Sequence, residues 1–203
     1  MALFDSIINQ VTSQLKREAS KAVNNMAQNA SQAIAKGRNH TESFTFVALP
    51  ANVAELKALP EASLDSAFKT AALCIAVLCN WEKDANATWE MLDYLKGPEN
   101  VNEREKAFIK ERLMGKQYKT FSFFNGATPD NGYTPVTPYT ITVSENPYSF
   151  DEENWATLYV TSGGADAPRP IKLRRKPSTN QWFINDIQCL ANIRIPAEQD
   201  AWA

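Results

Sequence analysis

Apolar residues recur near the start of the chain at Phe4, Ile8, Val11, Leu15, Ala19, Val23, Met26, Ala30 and Ile34, with no Gly or Pro from Leu3 to Lys36. Steps of four with occasional threes average about 3.7 residues, which keeps the stripe on one face of a nearly straight amphipathic helix. At the α-helical rise such a helix would be roughly 50 Å long. Its first half is strongly apolar, whereas the second presents mostly Ala among Asn, Ser and Gln, so residues 3–15 form its gripping end. An isolated helix gains most of its stability by burying such a face, so the stripe predicts a partner. Gly37, followed by Arg38 and Asn39, predicts the stop, and residues 1–40 read as this helix and its linker.

The rest of the chain, residues 41–203, reads as a single α+β domain, helix-rich over 50–116 and strand-rich over 139–190. Residues 43–49 alternate aromatic and β-branched side chains and predict a strand that Pro50 ends. A short helix over 52–59 is closed by Pro60. Residues 64–81 are apolar nearly all round and predict a central buried helix, with Ser63 or Asp65 available as its cap. A helix over 89–96 stops at Gly97-Pro98, and the next opens on Asn102 with Glu105 three residues on, a capping-box spacing. It continues through Phe108, Ile109 and Leu113 to Gly115, and its mixed charges suit a solvated face.

Beyond Lys116 the character changes. Residues 121–138 read as a long loop, followed by strand-length runs over 139–143, 155–161, 171–176 and 182–187. Gly163-Gly164 and Ser178-Thr179-Asn180 stand where hairpin turns are needed. The expected fold is an antiparallel four- to five-stranded sheet, with residues 43–49 at an edge, packed against a helical cluster and preceded by the long amphipathic helix.

Composition changes this picture little. With 44% apolar and 22% charged residues the chain has globular averages, and a net charge of −2 assigns no partner. The longest apolar run, residues 71–79, is far short of a bilayer span, and the first residues carry neither a secretory signal nor a myristoylation glycine. Cys74, Cys79 and Cys189 are odd in number, and the first two lie in an apolar helical run, so they read as buried structural thiols in a reducing, cytoplasmic setting.

Four blocks carry a family resemblance. They are Leu-Pro-x5-Leu-x-Ala-Leu-Pro-Glu-Ala from Leu49, Asn-Gly-Ala-Thr-Pro-x-Asn from Asn125, Pro-Tyr-x-Ile-Thr-Val-x3-Pro-Tyr-Ser from Pro138, and Gly-Ala-Asp-x-Pro-Arg-Pro from Gly164. Together they resemble an uncharacterised bacterial family, a domain of unknown function, over roughly residues 49–203. The resemblance implies no activity and brings no functional residues with it. Residues 1–40 lie outside it.

The chemistry carried by familiar motifs is missing from the sequence. The single histidine, His40, lies in the expected linker and makes a poor general base. No phosphate-cradling or dinucleotide-binding glycine loop and no Cys-x-x-Cys pair is present, so no catalytic residue, cofactor or metal is expected. Asp151, Glu152 and Glu153 adjoin in a predicted turn, where neighbouring carboxylates face different directions into water.

Three features remain as candidates. Phe4, Ile8, Val11 and Leu15 form an oligomer, partner or membrane face. Arg169, Lys172, Arg174, Arg175 and Lys176 form a basic run, in which alternation puts Lys172 and Arg174 opposite Ile171 and Leu173, a candidate site for an anion or acidic partner. Phe123, Phe124 and Tyr133 lie in the long loop, where they either stack on a ligand or pin the loop to the domain.

The leading expectation is a noncatalytic interaction or assembly protein, docking on itself or another protein through its N-terminal helix. The alternatives are a peripheral membrane-surface protein anchored by that helix and an enzyme with an unrecognised cleft between helices and sheet. Nucleic acid is not the expected partner.

Overall fold

The structure is a computed structural model that describes residues 39–202, so the stripe over 3–36, with Phe4, Ile8, Val11 and Leu15, lies outside the described residues. Five strands form one antiparallel sheet in the order β1-β2-β3-β4-β5: β1 Thr41–Phe46, β2 Tyr139–Ser144, β3 Trp155–Val160, β4 Arg169–Lys176 and β5 Gln181–Ile187. The two-residue period decides which side is covered. Phe44 and Phe46, Ile141 and Val143, Ala156, Leu158 and Val160, and Ile171 and Leu173 are buried on one face. The other face carries hydroxyl pairs across β1 and β2, Ser43 with Thr142 at 3.1 Å and Thr45 with Thr140 at 3.0 Å. β1 reaches the edge beside β2 although residues 47–138 intervene, because its Phe residues need the same core.

The helices are α1 Val53–Ala58, α2 Ala67–Leu78, α3 Ala85–Lys96, α4 Glu103–Leu113 and the single turn α5 Tyr118–Phe121. Of the 12 residues of α2, only Lys69 escapes burial, and the helix contacts all five strands. It starts later than its apolar pattern suggests. Leu64, at a left-handed φ of 56°, closes a 3-10 turn over Pro60–Ser63, and the cap is then Ser66, whose Oγ accepts the Phe68 N–H at 3.2 Å. Conversely, α3 begins a turn before Trp89, because Asp84 accepts the Ala87 N–H at 2.9 Å and supplies a cap that apolar periodicity does not reveal.

The long connection over 121–138 is held by its own side chains. Asn131 donates to the Gly126 carbonyl at 2.7 Å and accepts the N–H groups of Thr128 and Thr134, at 2.9 and 3.2 Å. Phe123, Phe124 and Tyr133 are each 2% exposed. Tyr133 stacks on Tyr118 with ring centroids 5.4 Å apart and donates its hydroxyl to the Arg194 carbonyl at 2.7 Å. These aromatics therefore pin the loop, and their faces are not open to a ligand.

Gly163 and Gly164 form a turn in the β3–β4 connection, with the Ala165 N–H on the Ser162 carbonyl at 3.4 Å, and they also belong to this packing. A Cβ on Gly163 would sit 1.9 Å from the Ala127 carbonyl oxygen, and one on Gly164 would sit 2.2 Å from the Tyr133 hydroxyl. Backbone, unlike a side-chain tip, cannot swing away. Gly163→Ala is expected to lower the unfolding free energy by about 1–3 kcal/mol, read from the midpoint of urea denaturation.

Candidate functional site

Between α3 and α4 the chain turns sharply. Gly97, at φ 69°, ends α3, and Asn102 starts α4 by accepting the Glu105 N–H at 3.0 Å. Asp93 ties the intervening segment down by accepting the Val101 N–H at 2.7 Å. The β4–β5 turn closes on Asn180, whose N–H donates to the Lys176 carbonyl at 2.9 Å, with φ at 58°. These two turns meet where Phe183 packs against Gly97: a Cβ there would come within 2.3 Å of the ring. Their meeting leaves a cleft along one side of β5.

The cleft comprises two adjoining cavities of about 460 and 500 Å³ that share Lys96, Asn102 and Glu105. The first, at the hairpin end, is predominantly polar and is lined by Arg174, Arg175, Lys176, Glu99, Asn100, Asn185 and the Phe183 ring. The second is mainly apolar, walled by Val101, Phe108, Ile109 and Ile187, with Arg104, Asp186 and Gln188 around them.

Between them stands an ion pair. Lys96, only 9% exposed, bonds one oxygen of Glu105, whose other oxygen accepts the Asn102 N–H at 3.0 Å. The capping box thus holds the carboxylate that neutralises a buried ammonium.

The basic run divides. Lys172 and Arg174 project from the face opposite Ile171 and Leu173, which are fully buried. Arg174 lies 3.8 Å from Glu99 and stacks over Trp155 at 5.1 Å, and Arg175 donates to the Asn180 side chain at 2.9 Å. Lys176 has no ion-pair partner among the described residues. Arg174, Arg175 and Lys176 line the first cavity, whereas Lys172 faces Thr157 and Asp186 in register and lines neither cavity. Arg169 stands at the far end of β4 opposite Val160, its Nε buried without a hydrogen-bond partner.

Other groups with chemical potential lie elsewhere. His40 is exposed, 3.0 Å from Glu42 and edge-on to Phe68. Asp151, Glu152 and Glu153 are exposed in the β2–β3 connection. Burial pushes the Cys79 and Cys189 thiols up to about 12 and holds Cys74 well above the ordinary thiol range, with Cys189 nearby adding to the effect there. Among the described residues no group of three metal-ligating side chains occurs.

Residues 48–197 match a family model described as a domain of unknown function, DUF6935. The match covers well over half of the chain and agrees with the resemblance carried by its four blocks. No curated protein matches the chain, and neither does any solved structure.

The ion pair and the thiols each lead to an expected result. Glu105→Ala orphans a buried ammonium and breaks a capping box, and should lower stability by about 2–4 kcal/mol, whereas Lys96→Met removes the charge itself and should lower it by about 1–2 kcal/mol; paired urea titrations measure the difference. At about pH 8 a chromogenic disulfide reagent should leave all three cysteines of the native chain unmodified and label them after denaturation, since burial suppresses the thiolate.

Proposed function

We propose that this chain, which belongs to the DUF6935 family, is a noncatalytic interaction and assembly protein. Its α+β body recognises a partner at the cleft beside the β4–β5 hairpin, and the apolar stripe over 3–36 joins copies or docks on another protein. The observation that carries the reading is the state of the ionisable groups in and around the cleft. The carboxylate and ammonium deepest in it, Glu105 and Lys96, are consumed by each other and by a helix cap, while Arg174, Arg175 and Lys176 keep donor capacity at its mouth. Such a site holds and orients an acidic group. Proton transfer or nucleophilic attack calls for a poised base or thiolate, and the three thiols are held protonated by burial.

The membrane-surface reading rests on Leu3, Phe4, Ile7, Ile8, Val11 and Leu15 with Lys16, Arg17 and Lys21 following. Its basic content is modest beside that of surface-binding helices, and it stands second. Among the described residues no helix is long and apolar enough to cross a membrane.

Light-scattering mass decides between these readings, with the full chain set beside an Ile8→Asp/Val11→Asp variant at equal concentration and salt. The expected result is an oligomer, or a complex with a partner, that the two charges dissociate. An unchanged monomeric mass for both chains, together with cosedimentation of the unsubstituted chain with anionic vesicles, would overturn assembly in favour of the membrane surface.

A further inference from the structure

The two cavities differ in character yet adjoin, and that combination says what fits. We infer that the cleft is one bipartite site for an amphipathic anion, with a carboxylate or phosphate head in the cationic cavity and a short apolar body in its neighbour. The inference rests on the reading of the cleft as a recognition site and names the chemistry of its ligand.

The head position follows from unspent donors. Among the described residues Arg174 has only Glu99, at 3.8 Å, as an ion-pair neighbour, and Lys176 has none. A guanidinium offers five N–H donors and an ammonium three, so these groups and Arg175 have capacity for a further acceptor. Glu105, the other carboxylate of this cavity, has one oxygen on Lys96 and the other on the Asn102 N–H, which blunts its repulsion of an incoming anion.

The body position follows from the second cavity. Val101, Ile109 and Ile187 are 5%, 1% and 8% exposed, and Phe108 is half-buried with Arg112 against its ring at 5.2 Å. These walls do not yield to solvent, and an apolar group entering between them leaves water without having to displace a buried charge. Each cavity falls in the size range of small-ligand sites. Because Lys96, Asn102 and Glu105 border both, one molecule or one side-chain pair of an acidic peptide spans the two.

The test uses the full chain at fixed ionic strength, with amide chemical shifts and calorimetry as readouts. The probes are 3-phenylpropionate, its neutral amide, acetate, phenyl phosphate and a blocked Phe-Glu dipeptide. The expected result is that phenylpropionate or phenyl phosphate shifts amides in both 96–109 and 174–188, while the neutral amide and acetate bind at least roughly tenfold more weakly. Arg175→Glu/Lys176→Glu should weaken binding by about tenfold or more, and Lys172→Glu, the same kind of charge change on a residue that lines neither cavity, should leave it nearly unchanged. Tighter binding of the dipeptide than of phenylpropionate supports the proposal with a polypeptide as the source, and the reverse supports it with a small molecule.

The proposal is overturned if the neutral amide or acetate matches phenylpropionate, if Lys172→Glu is as damaging as the hairpin reversal, or if no probe shifts either segment. Those failures are separable from failure of the assembly reading. Shifts that persist while the mass stays monomeric and the chain cosediments with anionic vesicles sink assembly alone, and an oligomer whose cleft ignores every probe sinks only this assignment.

Discussion

Burial of α2 on nearly all sides is the constraint on which the rest depends. A helix whose apolar residues surround it must be covered all round, so the sheet lies against it on one side while α3, α5 and the 3-10 turn Pro60–Ser63 pack against it elsewhere. Its few polar groups then become structural fasteners. Thr70 donates its hydroxyl to the Trp182 carbonyl at 3.0 Å, and the Trp182 N–H donates to the Leu64 carbonyl at 2.8 Å, which ties the edge of β5 to the start of the helix. Asn80, at the other end, donates to the Ala51 carbonyl at 3.2 Å and anchors the chain entering α1. Lys69, the single residue of α2 that escapes burial, bonds Asp65 at 2.9 Å.

Fixing β5 in this way fixes the cleft. The strand carries Phe183 to the one position in the α3–α4 connection that lacks a Cβ, and the hairpin cations arrive beside the Lys96–Glu105 pair as a consequence. The pair is a structural element first. It lets α3 end in a buried ammonium and α4 begin with a capping carboxylate, so the two helices turn on each other without leaving a charge uncompensated. Recognition is left to the groups around it, whose donors are only partly engaged.

The aromatic residues of the long loop follow the opposite logic. Phe123, Phe124 and Tyr133 look like binding groups in a glycine- and proline-rich segment, but a loop of this length folded on a domain needs anchors, and these rings supply them. With Gly163 and Gly164 lying directly beneath, the loop is part of the domain's packing. The candidate site accordingly moves to the end of the basic run, where Arg174, Arg175 and Lys176 line the cleft.

Periodicity by itself determined the element types. Alternation or β-branched and aromatic runs marked the five strands, the all-round apolar run marked α2, and the Asn102–Glu105 spacing marked a capping box that the structure contains, because these signals are local and each residue's role is set by neighbours within one turn or one pleat. What only the tertiary structure decided was set by groups distant in the chain. Ser66 rather than Ser63 or Asp65 caps α2, because Leu64 is committed to the preceding turn; Gly163 serves a contact with Ala127; and Arg169 parts from Arg174 through Lys176 because an eight-residue strand separates its ends. The Lys96–Glu105 pair and the seat of Phe183 on Gly97 left no mark in composition or spacing. A buried charge finds its partner, and a ring its seat, only once the chain has closed on itself, so the cleft exists in the fold and not in any stretch of sequence.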